Sequence, residues 1–566
     1  MVNSSGPRPL SPEPPFAGPR PGPRRRTLDP ETAYQVHDQP GVRETVYVAD
    51  ALLVRGRHPD TLAALEEVTA AAGFELVRDE DSSLGREVLE QAPLTEQQRA
   101  DLEAVWVERV RLAPRRDRED SVFKPIDTWR LLQSYRARVG RDSERHGDVG
   151  LEHPASSAGI EPNPVTNPHP VTNPHPVTNP HPVTNPHPVT NPHPVTNPHP
   201  VTNPHPVTNP HPVTNPHSFG VLQYTQAGWG GRQPVNWLGP EPTTRIAPDD
   251  GARRPVVAVF DSGVGRHPWL GERHVIRDPQ VLGTTIGLPA ESAAAEMSGA
   301  EDLLVGELGE DAGHGTFIAG LVRQACPDAL LLAVRLFHGD GVVDESELLR
   351  ALQLLAVRHL LGVNGEDGYE PVDVLSLSLG YYHEQPEDAA FDALLHGPLA
   401  LLGRYGVCVV VSAGNDATSR PAYPAAFAPY DEGSVPDDEQ RIPVAAVGAL
   451  NPDGSIAMFS NDGPWVRYLR PGAALVSTFP TTYDASQSAS NQVVINGEVR
   501  RSLDPDNYLA GFAIWSGTSF AAPVFAGQVA AALQREFEGG DTGTDPAGAV
   551  ARGRRVLDEQ PQRERS

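Results

Sequence analysis

The region from Arg254 to Glu536 alternates continuous apolar runs with segments of helical periodicity. The apolar runs predict strands buried on both faces of a parallel sheet, and they read PVVAVFDSG, ALLLAVRLF, VDVLSLSLG, GVCVVVSAG and IPVAAVGAL. The helical segments between them read TFIAGLVRQA, SELLRALQLLAVRHLL and AAFDALLHGPLALLGRYG. This alternation predicts a doubly wound α/β domain over residues 254–537, with helices on both faces of the sheet and ligands at the carboxyl ends of the strands.

A second and smaller pattern occupies residues 44–152. Strands are predicted at TVYVADALLV, FELV, VWVERVRLA and DVGLEH, and helices at PDTLAALEEVTAAAG and DTWRLLQSYRARVG. The order β-α-β-β-α-β is typical of a small ferredoxin-like α+β domain.

A linker is predicted between the two domains, over residues 153–217. It contains the hexapeptide PVTNPH nine times in succession, from Pro164 to His217. Two prolines in each repeat remove backbone donors and restrict the preceding residues, which disfavours helix and sheet and leaves polyproline II. Successive histidines would then lie about 19 Å apart, too far for two of them to share a metal ion. A spacer is the favoured interpretation, and a binding or metal-collecting tract is the alternative.

The other segments are polar or irregular. Residues 1–43, rich in Pro and Arg, are predicted to be disordered, residues 218–253 form an aromatic connector, and residues 538–566 form a polar tail. The N-terminus lacks the apolar run of a signal peptide, and no stretch approaches the roughly 18 apolar residues of a membrane span. We therefore expect a cytoplasmic protein without a membrane partner.

Composition narrows the range of possible partners and cellular sources. The 566 residues carry a formal charge of −27, from 46 basic and 73 acidic residues, which argues against nucleic acid as a partner. Lys124 is the single lysine, and such an arginine bias suggests GC-rich coding and a bacterial source. Cys326 and Cys408 both lie in apolar runs, which predicts buried free thiols and excludes a disulfide framework.

The stretch SGTSFAAP, residues 516–523, raises the question of chemistry. Taken alone, Ser519 is better explained as the N-cap of the following helix than as a nucleophile. Three further residues stand where a doubly wound sheet places its active site: Asp261 ends a strand, His314 begins a helix and Asn415 follows a strand. Each of the three has a structural explanation as a turn or capping residue, but the whole set favours an active site.

With these residues the region resembles the subtilisin-like serine peptidases. The resemblance rests on DSGVGRHP, GHGTFIAG, SLSLG, SAGN and SGTSFAAP, in the order Asp, His, Ser. It implies that Ser519 is the nucleophile, His314 the general base and Asp261 its orienting acid, without a cofactor. Asn415 and the Ser519 backbone N–H would donate to the oxyanion.

The same resemblance implies a binding site for an extended protein or peptide substrate. Ser378, Leu379 and Gly380 would pair with the substrate strand, Gly414 would line the site, and Gly339 to Gly341 is either an opposite wall or a plain turn. Family members often carry a calcium-binding Asp where this chain has Trp269, so we expect no metal at that position.

Two alternatives stay open at this point. Residues 44–152 resemble the inhibitory pro-domain of the family, but a separate recognition module has a similar pattern. The whole chain is interpreted as a serine endopeptidase restrained by its N-terminal domain; the alternative is a catalytically silent scaffold with the same fold. An esterase of the α/β-hydrolase type is disfavoured because Ser519 lacks the Gly-x-Ser-x-Gly motif.

Overall fold

The protein was analysed as a computed structural model. It describes residues 24–34, 41–56, 58–78, 80–115, 125–140, 143–157, 224–226, 228, 230–246, 251–288, 300–302, 306–337, 341–385, 393–430 and 435–563. The PVTNPH repeat and the start of the aromatic connector lie outside the described residues.

The N-terminal region contains a four-stranded antiparallel sheet covered by helices. Its elements are β1 (Arg25–Leu28), β2 (Thr45–Val48), β3 (Ala51–Arg55), α1 (Pro59–Ala72), β4 (Phe74–Arg78), α2 (Glu80–Gln91), α3 (Glu96–Val105), β5 (Val107–Pro114), α4 (Thr128–Val139), β6 (Val149–Leu151) and β7 (Pro154–Ser157). The strand order β4-β5-β3-β6 is that of a ferredoxin-like fold, as the sequence predicts. Helices α2 and α3 are additional to the predicted elements.

Two short strands of the N-terminal region lie in segments for which the sequence predicts no regular structure. Strand β1 pairs with β2 although the sequence predicts disorder over residues 1–43, and buried Leu28 anchors it in the core. Strand β7 lies in the predicted linker. Both strands are short and are ordered by pairing with other segments of the chain. Such pairing leaves no hydrophobic periodicity in the sequence of the strand itself.

The C-terminal half is built on a parallel sheet. Its elements are β8 (Gln233–Pro234), β9 (Val256–Asp261), β10 (Val275–Arg277), β11 (Gln280–Val281), β12 (Thr284–Thr285), β13 (Ala300–Asp302), β14 (Glu307–Leu308), α5 (His314–Ala325), β15 (Leu330–Arg335), β16 (Val342–Asp344), α6 (Glu345–Val363), β17 (Val374–Leu377), β18 (Leu379–Gly380), α7 (Ala393–Arg404), β19 (Cys408–Ser412), β20 (Ala445–Leu450), β21 (Val466–Pro471), β22 (Leu475–Thr478), β23 (Gln492–Ile495), β24 (Glu498–Arg501), β25 (Phe512–Trp515), α8 (Thr518–Glu538) and α9 (Pro546–Asp558).

Seven of these strands form one parallel sheet in the order β10-β15-β9-β17-β19-β20-β21. Every residue of β9, β17 and β19 is buried because helices cover both faces, which explains their continuous apolar sequences. The predicted α/β class is therefore confirmed. Cys326 and Cys408 are buried free thiols, and burial raises the pKa of each to about 12.

The C-terminal segment differs from the polar tail that the sequence predicts. It contains α9, whose buried residues Val550, Val556 and Leu557 join the core beneath the sheet. These apolar residues follow helical spacing but lie among arginines. The apolar stripe of α9 is therefore narrow, and the segment resembles a polar tail in sequence. In the described part of the chain, no helix has the length and apolarity needed to cross a bilayer.

One buried hydrophobic cluster includes residues of both halves. Trp106 and Val107 of the N-terminal region belong to the same buried cluster as Leu348 and Leu352 of α6. At the edge of this contact, Gln98 and Asn364 exchange two amide hydrogen bonds of 2.8 and 3.0 Å. The N-terminal region is thus packed against α6, the helix that follows β16.

Candidate active site

Asp261 and His314 form a direct hydrogen-bonded pair at the carboxyl end of strand β9. Asp261 ends β9, and His314 is the first residue of α5. His314 Nδ1 lies 2.8 Å from Asp261 Oδ1 and 3.0 Å from Oδ2. Gly313 precedes the helix at φ 83°, a left-handed conformation, and a Cβ there would lie 2.5 Å from the Phe479 ring. Glycine therefore lets the chain turn sharply into the histidine.

Ser519 stands in the first turn of a helix beside this pair. Helix α8 begins at Thr518 with Gly517 as its N-cap, so Ser519 is not the capping residue. The ring of the next residue, Phe520, lies 5.0 Å from the His314 ring between centroids. Ser519 is fully buried, and its Oγ has no hydrogen-bond partner within the described ranges. A buried hydroxyl without a partner is costly in a merely structural role.

The side chain of Asn415 is held in one orientation by the residue before Ser519. Asn415 Oδ1 accepts hydrogen bonds of 2.9 Å from both the backbone N–H and the hydroxyl of Thr518. This leaves Nδ2 buried, and it finds no partner among the residues described here. Two bonds to the oxygen thus aim the NH₂ group away from Thr518, as a donor for an external oxygen requires.

The loop that carries Asn415 is fixed by Asn461, a residue that no sequence motif identifies. Asn461 donates from Nδ2 to Ala413 O over 3.0 Å, and its Oδ1 accepts from the backbone N–H groups of Asp416 and Thr418. Gly414 has φ 102° and a Cβ there would lie 2.3 Å from Asn461 Nδ2. The motif SAGN is therefore recognisable from sequence, but its support from a residue over 40 positions away is not.

The predicted substrate-strand residues are next to the same group. Ser378 donates from Oγ to the backbone oxygen of Ser519 over 2.9 Å, and Leu379 and Gly380 form β18. In this structure β18 pairs with β7, and β7 pairs on its other side with β16, in the antiparallel order β16-β7-β18. The strand Pro154–Ser157 is therefore the middle strand of this sheet and pairs with the predicted substrate strand β18.

Side-chain contacts fix the end of β7 close to His314. Ser157 donates from Oγ to Asp311 Oδ1 over 2.6 Å and from its backbone N–H to Gly341 O over 3.1 Å. Burial raises the pKa of Asp311 above its ordinary value, against the opposing effects of His314 and Ser157. Gly341 therefore belongs to the wall opposite β18, while Gly339 and Asp340 lie outside the described residues.

A second contact ties the start of β7 to the C-terminal half. His153 is fully buried, with Nδ1 3.0 Å from Glu345 Oε2 and Nε2 3.0 Å from Glu384 Oε2. Burial lowers the pKa of His153, but the hydrogen bonds and charges of the two carboxylates outweigh it and raise the pKa to about 10. An imidazolium between two carboxylates therefore links the halves.

At the position of the family's calcium-binding Asp, Trp269 is buried in an aromatic cluster. Its ring lies 5.4 Å from Trp237 and 5.0 Å from Phe512 between centroids. Over the ranges that the structure covers, no group of three or more His, Cys, Asp or Glu side chains is placed to hold a metal ion. The expectation of no metal at Trp269 remains a prediction.

The fold and the grouping of Asp261, His314 and Ser519 at one edge of the parallel sheet correspond to the subtilisin-like class. The family model of the subtilases, peptidase family S8, matches residues 252–545, more than half of the chain. The chain therefore belongs to the subtilase family.

Curated relatives carry peptidase names. The chain is 29% identical over 225 residues to subtilisin-like protease 2 of Pseudogymnoascus destructans, covering 39% of this chain and 42% of the relative. It is 26% identical over 298 residues to serine protease AprX of Bacillus subtilis, covering 49% and 57%. The chain thus spans about half the length of these relatives. A solved cold-adapted subtilisin-like serine proteinase aligns with TM-score 0.32 and 19% identity, over 55% of this chain and 86% of that one.

Proposed function

We propose that this protein is a serine endopeptidase in which Asp261, His314 and Ser519 form the catalytic triad. The observation that carries the proposal is the 2.8 Å hydrogen bond between His314 Nδ1 and Asp261, together with the buried Oγ of Ser519, which has no hydrogen-bond partner among the described residues. Asp261 fixes the tautomer in which Nδ1 carries the proton, so that Nε2 is the basic atom. Membership of the subtilase family supports the same assignment.

The chemistry follows from these positions. Ser519 Oγ attacks the carbonyl carbon of the scissile peptide bond while His314 Nε2 accepts its proton. Asn415 Nδ2 and the Ser519 backbone N–H donate to the oxyanion that forms. His314 then delivers the proton to the leaving amine, and a water molecule, activated in the same way, hydrolyses the acyl-enzyme. The substrate is a polypeptide that adds as a strand between β16 and β18.

The second part of the proposal is that the N-terminal domain restrains this activity in the intact chain. Strand β7 holds the position between β16 and β18 that a substrate would need. The side chains of Asp261, His314 and Ser519 are all buried while it is there. The hydrogen bond between Ser157 and Asp311 and the contacts of His153 add side-chain interactions to the strand pairing. The PVTNPH repeat connects the two halves in this arrangement.

The test uses the full-length chain with the recognition sequence of a site-specific peptidase in place of one PVTNPH unit. We call this the cleavable chain; it folds as one molecule and is cut afterwards. A fluorophosphonate probe, which forms a covalent bond with an activated serine, is added before and after the cut, and peptide hydrolysis is measured in parallel. Ser519→Ala is the matched control.

The expected result is weak labelling before the cut and strong labelling after the cut and dilution, with none in Ser519→Ala. Equal labelling before and after the cut would support the peptidase activity and reject restraint by the N-terminal domain. A folded, cut and diluted chain that neither labels nor hydrolyses peptides would reject the peptidase and leave the scaffold alternative.

A further inference from the structure

Arg232, in the connector that follows the repeat, binds the loop that leads into His314. Its Nη1 donates hydrogen bonds to the backbone oxygens of Gly309, Glu310 and Ala312 over 2.9, 2.7 and 3.2 Å. These carbonyls belong to the turn that ends at Gly313, directly before the histidine. A cationic donor shared by three carbonyls fixes their mutual orientation, because the turn lies outside the regular hydrogen bonding of helices and strands.

The same guanidinium also contacts the aromatic wall behind His314. Its Cζ lies 5.1 Å from the centroid of the Trp515 ring, within the range of a cation–π interaction. Trp515 in turn meets the His314 ring edge-on at a centroid distance of 5.4 Å. Arg232, Trp515 and His314 therefore form one continuous series of contacts.

The backbone around Arg232 is attached to the strand that leads into the nucleophile. Strand β8 pairs with β25, and the Ser516 hydroxyl donates to Gly230 O over 2.6 Å. Ser516 is three residues before Ser519. The connector is thus fixed to the Ser519 side of the site, and its arginine reaches the His314 side.

We propose that Arg232 is a positioning residue of the active site, which sets the His314 ring relative to Ser519. The Asp261 carboxylate restrains Nδ1 of the ring but not the turn of residues 309–312. Arg232 supplies that second restraint from a segment attached to β25, so the distance between base and nucleophile depends on it. Displacements of about 1 Å at such a pair can cost about 100-fold in rate. This inference rests on the proposed function.

The experiment compares Arg232→Met and Arg232→Lys in the cut cleavable chain with the unsubstituted protein. Arg232→Met keeps the length and apolar stem but removes the donors and the charge, whereas Arg232→Lys keeps one cationic donor. Arg245→Met, at an exposed position of the same connector, is the matched control. Active sites are titrated with the fluorophosphonate probe to its end point, so kcat is expressed per competent site, and Tm is recorded for each protein.

For Arg232→Met we expect kcat to fall about 10- to 100-fold with KM within about twofold. The acid limb of the kcat/KM profile should also move to higher pH, because a positive charge near the imidazolium is lost while Asp261 and Asp311 remain. Arg232→Lys should recover part of kcat. If kcat and the pH profile equal those of Arg245→Met, or if only Tm and the titrated fraction fall, the positioning role is wrong. An unsubstituted cut chain without hydrolysis would instead reject the proposed function itself.

Discussion

Ser157 Oγ donates a hydrogen bond to Asp311 Oδ1 over 2.6 Å, which joins the last strand of the N-terminal domain to the turn before His314. Asp311 is buried, so its carboxylate has few alternative partners when that hydroxyl is missing. The bond is thus expected to contribute to restraint as well as to local order, because hydrogen bonds to charged groups contribute about 1.5–3 kcal/mol.

We predict that Ser157→Ala weakens inhibition by the N-terminal half about 10- to 100-fold, as that free energy implies. In the cut cleavable chain the two halves separate on dilution, and peptidase activity as a function of concentration gives the inhibition constant. Ser156→Ala, whose position on β7 pairs with Val342 and Gly380, is the control and should change it less than threefold. Equal effects of the two substitutions would contradict a specific role for the bond to Asp311.

The clamp formed by Glu345 and Glu384 around His153 leads to a larger predicted effect on the inhibition constant. Replacing His153 by Ala removes the cation between Glu345 and Glu384, and breaking a buried ion pair costs about 3–5 kcal/mol. We expect the inhibition constant to rise at least about 100-fold, measured as for Ser157→Ala. His58→Ala, at an exposed position of the same domain, should leave it unchanged.

A folding defect of the N-terminal half must be separated from a docking defect. The melting temperature of the N-terminal half of His153→Ala, isolated after the cut, should match that of the unsubstituted half. Tight inhibition by a folded His153→Ala domain would show that the clamp does not stabilise docking.

The sequence predicts the residues of the proposed catalytic triad better than it predicts which strand lies between β16 and β18. Asp261 and His314 are recognisable because each stands at the end of an element whose period is clear in a short window. Strand β7 is different because its Ser157 pairs with Leu379, more than 200 residues away. The strand is also only four residues long, too short to show a hydrophobic period. Pairing partners at that separation follow from tertiary packing, which local patterns do not encode.

The contacts of Arg232 and His153 cannot be predicted from the sequence for the same reason. Arg232 resembles any polar connector residue until its bonds to the turn of residues 309–312 are seen. The sequence places His153 in a predicted linker, and only the fold brings Glu345 and Glu384 to its two ring nitrogens. Motifs with a fixed order of residues are readable from sequence; partners that meet across a domain interface are not.

Restraint should depend on pH through His153, with a sign that follows from its pKa. The pKa is about 10 in the docked state and near its ordinary value of 6.5 when the halves separate. A raised pKa stabilises docking fully below pH 6.5, and this contribution is lost as the pH rises toward 10. The groups that face the ring are Glu345, Glu384, Tyr381, His383 and, behind Glu384, Arg136.

We therefore predict that the inhibition constant rises by up to tenfold per pH unit between pH 7 and 9, as docking takes up one proton. It is measured with the cut cleavable chain at several pH values. His153→Gln, which does not titrate, should bind more weakly and remove most of this slope. A constant that is flat or falls with pH in the unsubstituted protein would mean that His153 does not take up the proton.

The orientation of Asn415 leads to a prediction on catalysis alone. Because Thr518 occupies Oδ1 with two hydrogen bonds, Nδ2 is the group available to the oxyanion. Removing one such donor costs about 100- to 1,000-fold in kcat, so Asn415→Ala should show a loss of that size with KM nearly unchanged. Hydrolysis by the cut chain is normalised to the sites titrated with the fluorophosphonate probe, and Ser519→Ala gives the background. A loss below about fivefold, or one confined to KM, would remove Asn415 from the oxyanion site and leave it as a loop residue.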